Sequence, residues 1–344
     1  MRLLITRRVL AAALLTALWS TAAFGQAPST TTLLNQAVRG NWVKFQIVAG
    51  RVRIAAAQVG NLNTSSGSRG HSEQLSILQF DGSGPSLRYE LVGSKEKLSL
   101  EASGGRFRLA YSGNSEAKLT PVEFRQSPGE PICLTIGAEG QQEVFRAPSL
   151  WHLWILQPEA CRQRLAPLLE LLRPDWKLEK VGAGVENQLL RMASGGALLD
   201  RARWAALVEQ LGDNEFPRRE AADRQLRAAS PAVLGYLEQL DFSRLDAEQQ
   251  FRVRRIISSL SRGLTGEMAD QIASWLSGDA GVWLSLLSRP DASTRRLAAR
   301  QLAAMLGEPI AFDPEADEAV RTRQIEKLRA RVESRKSEAD KHDQ

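Results

Sequence analysis

Near Pro148 the hydrophobic rhythm of this 344-residue chain changes period. Before it, apolar and polar residues alternate in short runs. After it, apolar residues recur at three- and four-residue intervals. Side chains alternate across a strand with period 2, whereas a helix repeats every ~3.6 residues. The two halves therefore cannot share one kind of secondary structure. The chain reads as an α+β protein of two domains. An antiparallel β domain, sandwich or barrel-like, covers residues 41–147. A helical connector follows over 148–199, and an all-α domain of helical repeats over 200–334. With 43% hydrophobic and 24% charged residues, both halves have the composition of soluble globular domains.

In the first half, Trp42–Val48, Leu75–Phe80, Leu87–Leu91, Lys97–Glu101 and Arg106–Tyr111 all alternate. Ser103-Gly104-Gly105 is a hairpin turn signal. Turn residues recur about every 8–12 positions, the spacing of an antiparallel sheet with one wet face. Arg51, Arg53, Arg88, Arg106 and Arg108 fall on polar phases. They form either a basic stripe for an acidic ligand or a solvated face that discourages edge pairing, and the second is the expectation. Asn61 to His71 is rich in Gly and Ser but lacks the Gly-Lys-Ser/Thr ending of a phosphate loop, so it reads as a flexible hairpin connection.

In the second half, Glu159–Leu172 predicts a helix behind Pro158, with Leu165, Leu168, Leu169 and Leu172 on one face. Trp176–Ala193 is interrupted by Gly182-Ala-Gly184. From Asp200 onwards, Trp204, Leu207, Val208 and Leu211 share a face. Pro217, Ser230-Pro231, Asp246 and Thr265 open further helices, and Gly307 stops the last strong unit. A final helix carries Ile325, Leu328 and Val332. Residues 335–344 hold nothing apolar larger than Ala339 and read as a disordered tail.

Two stretches of this half echo each other 76 residues apart. Arg219-Glu-Ala-Ala-Asp-Arg-Gln-Leu226 and Arg295-Arg-Leu-Ala-Ala-Arg-Gln-Leu302 match at five of eight positions. Leu211 through Leu226 resembles a HEAT-like unit found in many exported bacterial proteins. Arg295 through Gly307, with Phe312-Asp-Pro314 and the closing helix, resembles a terminal unit of the same group. The resemblance implies an α-solenoid segment over about residues 200–334 and a role in protein contacts. Arg219, Arg224, Arg295 and Arg300 are then candidate partner contacts, and intra-repeat salt bridges are the alternative use for them.

The N-terminus reads as a signal peptide over 1–25. Arg2, Arg7 and Arg8 precede the apolar run Val9–Trp19, and Ala23 and Gly25 suit cleavage before Gln26. The rival is an uncleaved anchor, for which the run is short against the ~20 residues of a spanning helix. A linker is expected over 26–40. Export places the chain in a periplasmic or extracellular setting that permits disulfides. Cys133 and Cys161 are then either a bridge between the domains or two buried thiols. No further run is long enough to span a bilayer. The net charge is +6; residues 26–149 hold 13 basic and 10 acidic residues, and residues 150–344 hold 29 of each. That balance lacks the concentrated basic face of a nucleic-acid binder.

The three histidines, His71, His152 and His342, show no metal-ligand spacing. Gly70-His-Ser-Glu73 lacks the Gly-x-Ser-x-Gly elbow of a hydrolase. The acidic cluster Glu315/Asp317/Glu318 suits a helix start. The expectation is a binding or scaffold protein with a protein partner, no cofactor and no catalytic site. Two alternatives stay open. One is a carrier sheltering a lipid or other apolar ligand in a curved sheet under Trp151 and Trp154. The other is an enzyme whose site is assembled from distant residues.

Overall fold

The computed structural model describes residues 31–341 apart from 81–83, 114–119, 196–200 and 264–266. The leader and the cleavage point before Gln26 lie outside the described residues, as does His342. The strands are β1 (Val43–Val48), β2 (Arg51–Ala57), β3 (Leu62–Ser68), β4 (His71–Phe80), β5 (Gly84–Gly93), β6 (Glu96–Ser103), β7 (Arg106–Gly113), β8 (Val122–Gln126), β9 (Ile132–Ile136) and β10 (Glu143–Ala147). β1 and β2 form a separate hairpin, while β3 to β10 make one antiparallel sheet in chain order. The sheet is open, with β3 and β10 as its edges, so no barrel closes. The hairpin lies across it, β2 against β5, β6 and β7, as a partial second layer.

Alternation places Leu98, Leu100, Phe107, Leu109 and Phe124 on the inner face, all essentially inaccessible. Gly104 and Gly105 take φ of 55° and 81° between β6 and β7, the left-handed pair that a tight hairpin turn requires. Gln126 bonds the hairpin to the sheet. Its amide donates to Val52 O at 2.6 Å and accepts from Val52 N at 3.1 Å, standing in for a strand partner.

Two stretches differ from the sequence reading. The Gly/Ser-rich run is not a loop but edge strand β3, paired with β4 from Leu62↔Ile77 to Ser68↔His71. A polar edge needs little apolar patterning, because its backbone pairing on one side suffices. The expected linker also contains helix α1 (Thr32–Arg39), which buries Leu33, Leu34 and Ala37. Its first N–H groups have a partner far along the chain. Thr32 N and Leu33 N donate to the two carboxylate oxygens of Glu73 on β4 at 2.7 and 2.8 Å. Tyr89 Oη donates to the same carboxylate at 3.0 Å. Glu73 is 1% exposed, and the helix N-terminus compensates its buried charge.

The helices after the sheet are α2 (Leu150–Leu156), α3 (Pro158–Ala160), α4 (Ala166–Leu169), α5 (Leu178–Ser194), α6 (Arg201–Gln210), α7 (Phe216–Ala228), α8 (Ala232–Leu237), α9 (Ala247–Gly263), α10 (Ala269–Leu276), α11 (Ala280–Leu286), α12 (Ala292–Leu306) and α13 (Glu318–Lys341). The single helix expected behind Pro158 is split into α3 and α4 by a π turn at Cys161–Leu165. α5 runs unbroken through Gly182. A Cβ there would stand 2.1 Å from Trp154 Nε1, so the glycine makes room for an indole and does not break the helix. Thr265 lies outside the described residues, and α10 begins at Ala269. α13 continues past residue 335 to Lys341, in keeping with the helix propensity of its Glu, Lys, Arg and Ala residues.

The caps follow the sequence signals. Asp246 and Gln249 form a reciprocal capping box at α9, with bonds of 2.8 and 2.9 Å. Gly307 ends α12 at φ 72°. One apolar core runs without a break from α1 and the sheet through α2, α5 and α10 to α13. A satellite core joins α6, α7, α8 and α9. Among the described residues no helix is long and apolar enough to cross a membrane.

Candidate functional site

The echoed stretches lie on α7 and α12, and their leading arginines do the same work. Arg219 Nη1 donates to Asp213 O at 2.7 Å and Asn214 O at 3.1 Å. Arg295 Nη1 donates to Arg289 O at 2.8 Å and Pro290 O at 2.5 Å. In both, the guanidinium reaches back to the carbonyls six and five residues earlier and closes the loop that leads into its helix. Arg295 adds Pro314 O at 2.7 Å and is 5% exposed. Arg295 is therefore no surface contact, which corrects the sequence reading; its bonds go to carbonyls and form no salt bridge. Arg219 is half-buried. Its Nε lacks a hydrogen bond and lies 3.7 Å from Glu248 Oε1 on α9. Arg224 is exposed, and Arg300 is exposed with one bond, Nη2 to Ala193 O at 3.2 Å. Trp204 is core, 6% exposed and stacked at a tilt on Tyr236.

The closing glutamines of the two echoes meet at one hollow. A recess of about 450 Å³ opens between α5, α6, α7 and α12. Met192, Trp204, Leu207, Ala228 and Trp283 make its walls mainly apolar, and Gln225 and Gln301 face it from the two echoed helices. Gln225 Oε1 accepts from Arg203 Nη2 at 3.3 Å. Gln301 is 6% exposed and makes no side-chain hydrogen bond among the described residues. Its amide borders the hollow, so this group is placed to meet a polar atom of something seated in the recess.

A second polar cluster joins the halves. Ser149 Oγ lies 2.8 Å from His152 Nδ1, and His152 Nε2 lies 3.2 Å from Asp279 Oδ2. The three residue types are those of a hydrolase relay, yet the arrangement serves packing. Ser149 is 1% exposed and caps α2 by accepting from His152 N. Asp279 caps α11 through Gly281 N at 2.6 Å. The imidazole thus ties one helix cap to the other and stands edge-on to Trp275 at 5.2 Å. Trp275 Nε1 donates to Glu238 at 2.9 Å. Glu238 keeps some solvent contact, but crowding of its carboxyl by the protein pushes its pKa up. Arg51, from the hairpin, completes the junction. It donates to Ser127 O at 2.9 Å and also to Glu130 O, and burial lowers its pKa. Nothing in the local sequence around His152 points to Asp279 or Glu238, so only the fold could reveal this cluster.

Cys133 and Cys161 are both free and buried, so the bridge left open by the sequence is not formed. They lie on opposite sides of the sheet. Cys161 belongs to the inner core, whereas Cys133 pairs across strands with Arg125 and Arg146 on the outer face. Burial pushes the Cys161 thiol up to about 12, which leaves it unreactive. Glu73, noted beside His71 and Ser72, is committed to α1. Trp151 and Trp154 are 1% and 3% exposed within the main core. Among the described residues no group of His, Cys, Asp and Glu is placed to hold a metal ion. Comparison of the chain with protein-family models, with curated proteins and with solved structures gave no match.

Proposed function

We propose that this is an exported, non-catalytic binding protein whose helical half holds a protein partner in the recess between α7 and α12. Gln301 carries the reading: its side chain lines an apolar hollow and makes no hydrogen bond to the protein among the described residues. Such a site suits an apolar side chain flanked by a peptide group, which supplies the missing hydrogen bond while it fills the hollow. The shared arginine clamp of α7 and α12 supports kinship of the two units with HEAT-like repeats, whose arrays hold partners. Export rests on the Arg2/Arg7/Arg8 leader and the short apolar run behind it.

A photo-crosslinking residue at Ala228, on the recess wall, tests this in the exported fraction. A discrete adduct is expected there and none from the same probe at Arg254 on α9. Loss of the adduct on Gln301→Leu supports the site. Adducts from both positions, or from neither, refute it. A mature chain that retains residues 1–25 by mass spectrometry refutes cleavage.

A further inference from the structure

The outer face of the sheet carries a recess of its own, about 510 Å³, lying across β4 to β8. Strand register sets its charges in a row. Arg88 stands opposite Glu101, Glu101 opposite Arg108, and Arg108 opposite Arg125. The row passes through Cys133 to Arg146. Arg106 lines the same recess one step along, and Ser76, Ser86, Ser103 and Ser127 place hydroxyls around it.

Five guanidinium groups here meet two carboxylates. Glu101 lies 3.8 Å from Arg88, and Glu123 is shared by Arg108 at 2.6 Å and Arg125 at 3.9 Å. Arg106 and Arg146 are exposed and make no ion pair among the described residues. Arg108 and Arg125 are direct cross-strand neighbours whose repulsion the single shared Glu123 carboxylate offsets. The solvated face expected from the alternation is therefore unevenly charged, and its positive end is concave.

From this geometry we infer that the recess binds an acidic polysaccharide, a chain of carboxylate-bearing sugars. Guanidinium groups grip carboxylates in a two-point fork. Arg108 and Arg125 stand on adjacent strands ~4.8 Å apart, a pitch comparable to one sugar unit. Arg88 and Arg146 each lie two strands further out, and the serines match sugar hydroxyls. Tyr89, Phe107, Tyr111 and Phe124 all face inward and are buried. Among the described side chains lining the recess no exposed ring offers a surface on which the bases of single-stranded nucleic acid would stack. A flat bilayer cannot follow a hollow. This site lies apart from the helical recess and does not depend on it.

The test is titration of the full chain with polygalacturonate at low salt, with dextran, single-stranded DNA and phosphatidylserine vesicles as parallel probes. Binding to polygalacturonate alone is expected, weakening as salt rises. The combined Arg88→Ala, Arg106→Ala, Arg125→Ala variant should bind at least about tenfold more weakly, with its circular dichroism and melting unchanged. Glu101→Gln, which removes a carboxylate from the row, should bind more tightly and keeps the test informative should the triple variant misfold. Absence of polygalacturonate binding, equal affinity in the variants, or equal binding of DNA or vesicles through the same arginines overturns the inference.

Discussion

Helices α7 and α12 share their closing Arg-Gln-Leu, their loop-closing arginine and a buried Ala and Leu, yet they sit in different surroundings. Ala222 and Leu226 pack in the satellite core, while Ala298 and Leu302 pack in the core that reaches the sheet. Arg295 is enclosed and bonds three carbonyls; Arg219 is half-open, with a hydrogen-bond-free Nε. Asp291 caps α12 with its side chain, whereas Glu215 before α7 makes no such bond. The same local rule builds both helices. What lies around them decides how much each contributes.

The largest expected effect comes from Leu302→Ala and Leu226→Ala. Both leucines are fully buried, and each truncation should cost about 3 kcal/mol. Hydrogen exchange should separate them. Leu302→Ala should weaken protection in the sheet as well as the helices, and Leu226→Ala only in α6 to α9. Equal loss in the sheet from both would mean that the two cores unfold as one.

Next come the arginines. Arg295→Ala strips donors from three carbonyls inside the protein and should cost about 2–3 kcal/mol in denaturant unfolding. Arg219→Ala, partly open to water, should cost about 1 kcal/mol. Equal costs would break the contrast. A smaller change of opposite sign is expected of Gln301→Leu. Replacing an amide that borders the recess with an apolar side chain should raise stability by less than about 0.5 kcal/mol, and Gln225→Leu should do nothing measurable.

The smallest effect concerns acid. Bonds from Ser293 Oγ, Thr294 N and Thr294 Oγ1 hold the Asp291 carboxyl below the usual carboxylate range. A carboxylate lowered on folding adds stability that is complete above its unfolded value of ~3.9 and is lost as pH falls through the folded one. Amide exchange at the start of α12 should therefore quicken below about pH 4, and Asp291→Asn should flatten that dependence. Quickening of the same size at the start of α7 would count against the cap.

Local signals carried most of the fold. The switch at Pro148, the Gly104-Gly105 turn, Asp246 and Gly307 act within a few residues of themselves, and each stands where its chemistry required. The misreadings share one cause, a partner distant in sequence. The first turn of α1 is completed by Glu73 on β4, and Gly182 is needed because Trp154 arrives from another helix. The relay of Ser149 and His152 closes only on Asp279. At the recess the pattern marked Gln225 and Gln301 as related, and nothing in it said that they face one hollow. The alternation marks the arginines on the sheet as a set, but their crowding beside Arg125 depends on strand register.

Arg289 gives the molecule a mechanical character. Its guanidinium bonds both oxygens of Glu186 on α5 and the carbonyl of Ile155 at the end of α2. With α1 seated on the sheet and α13 in the same core, a pull on the two ends of the described chain is borne by the sheet, α2, α5 and α12. Helices α6 to α9 stand beside that path and join it where α8 packs on α10, with Leu234 in the main core and Trp275 bonded to Glu238.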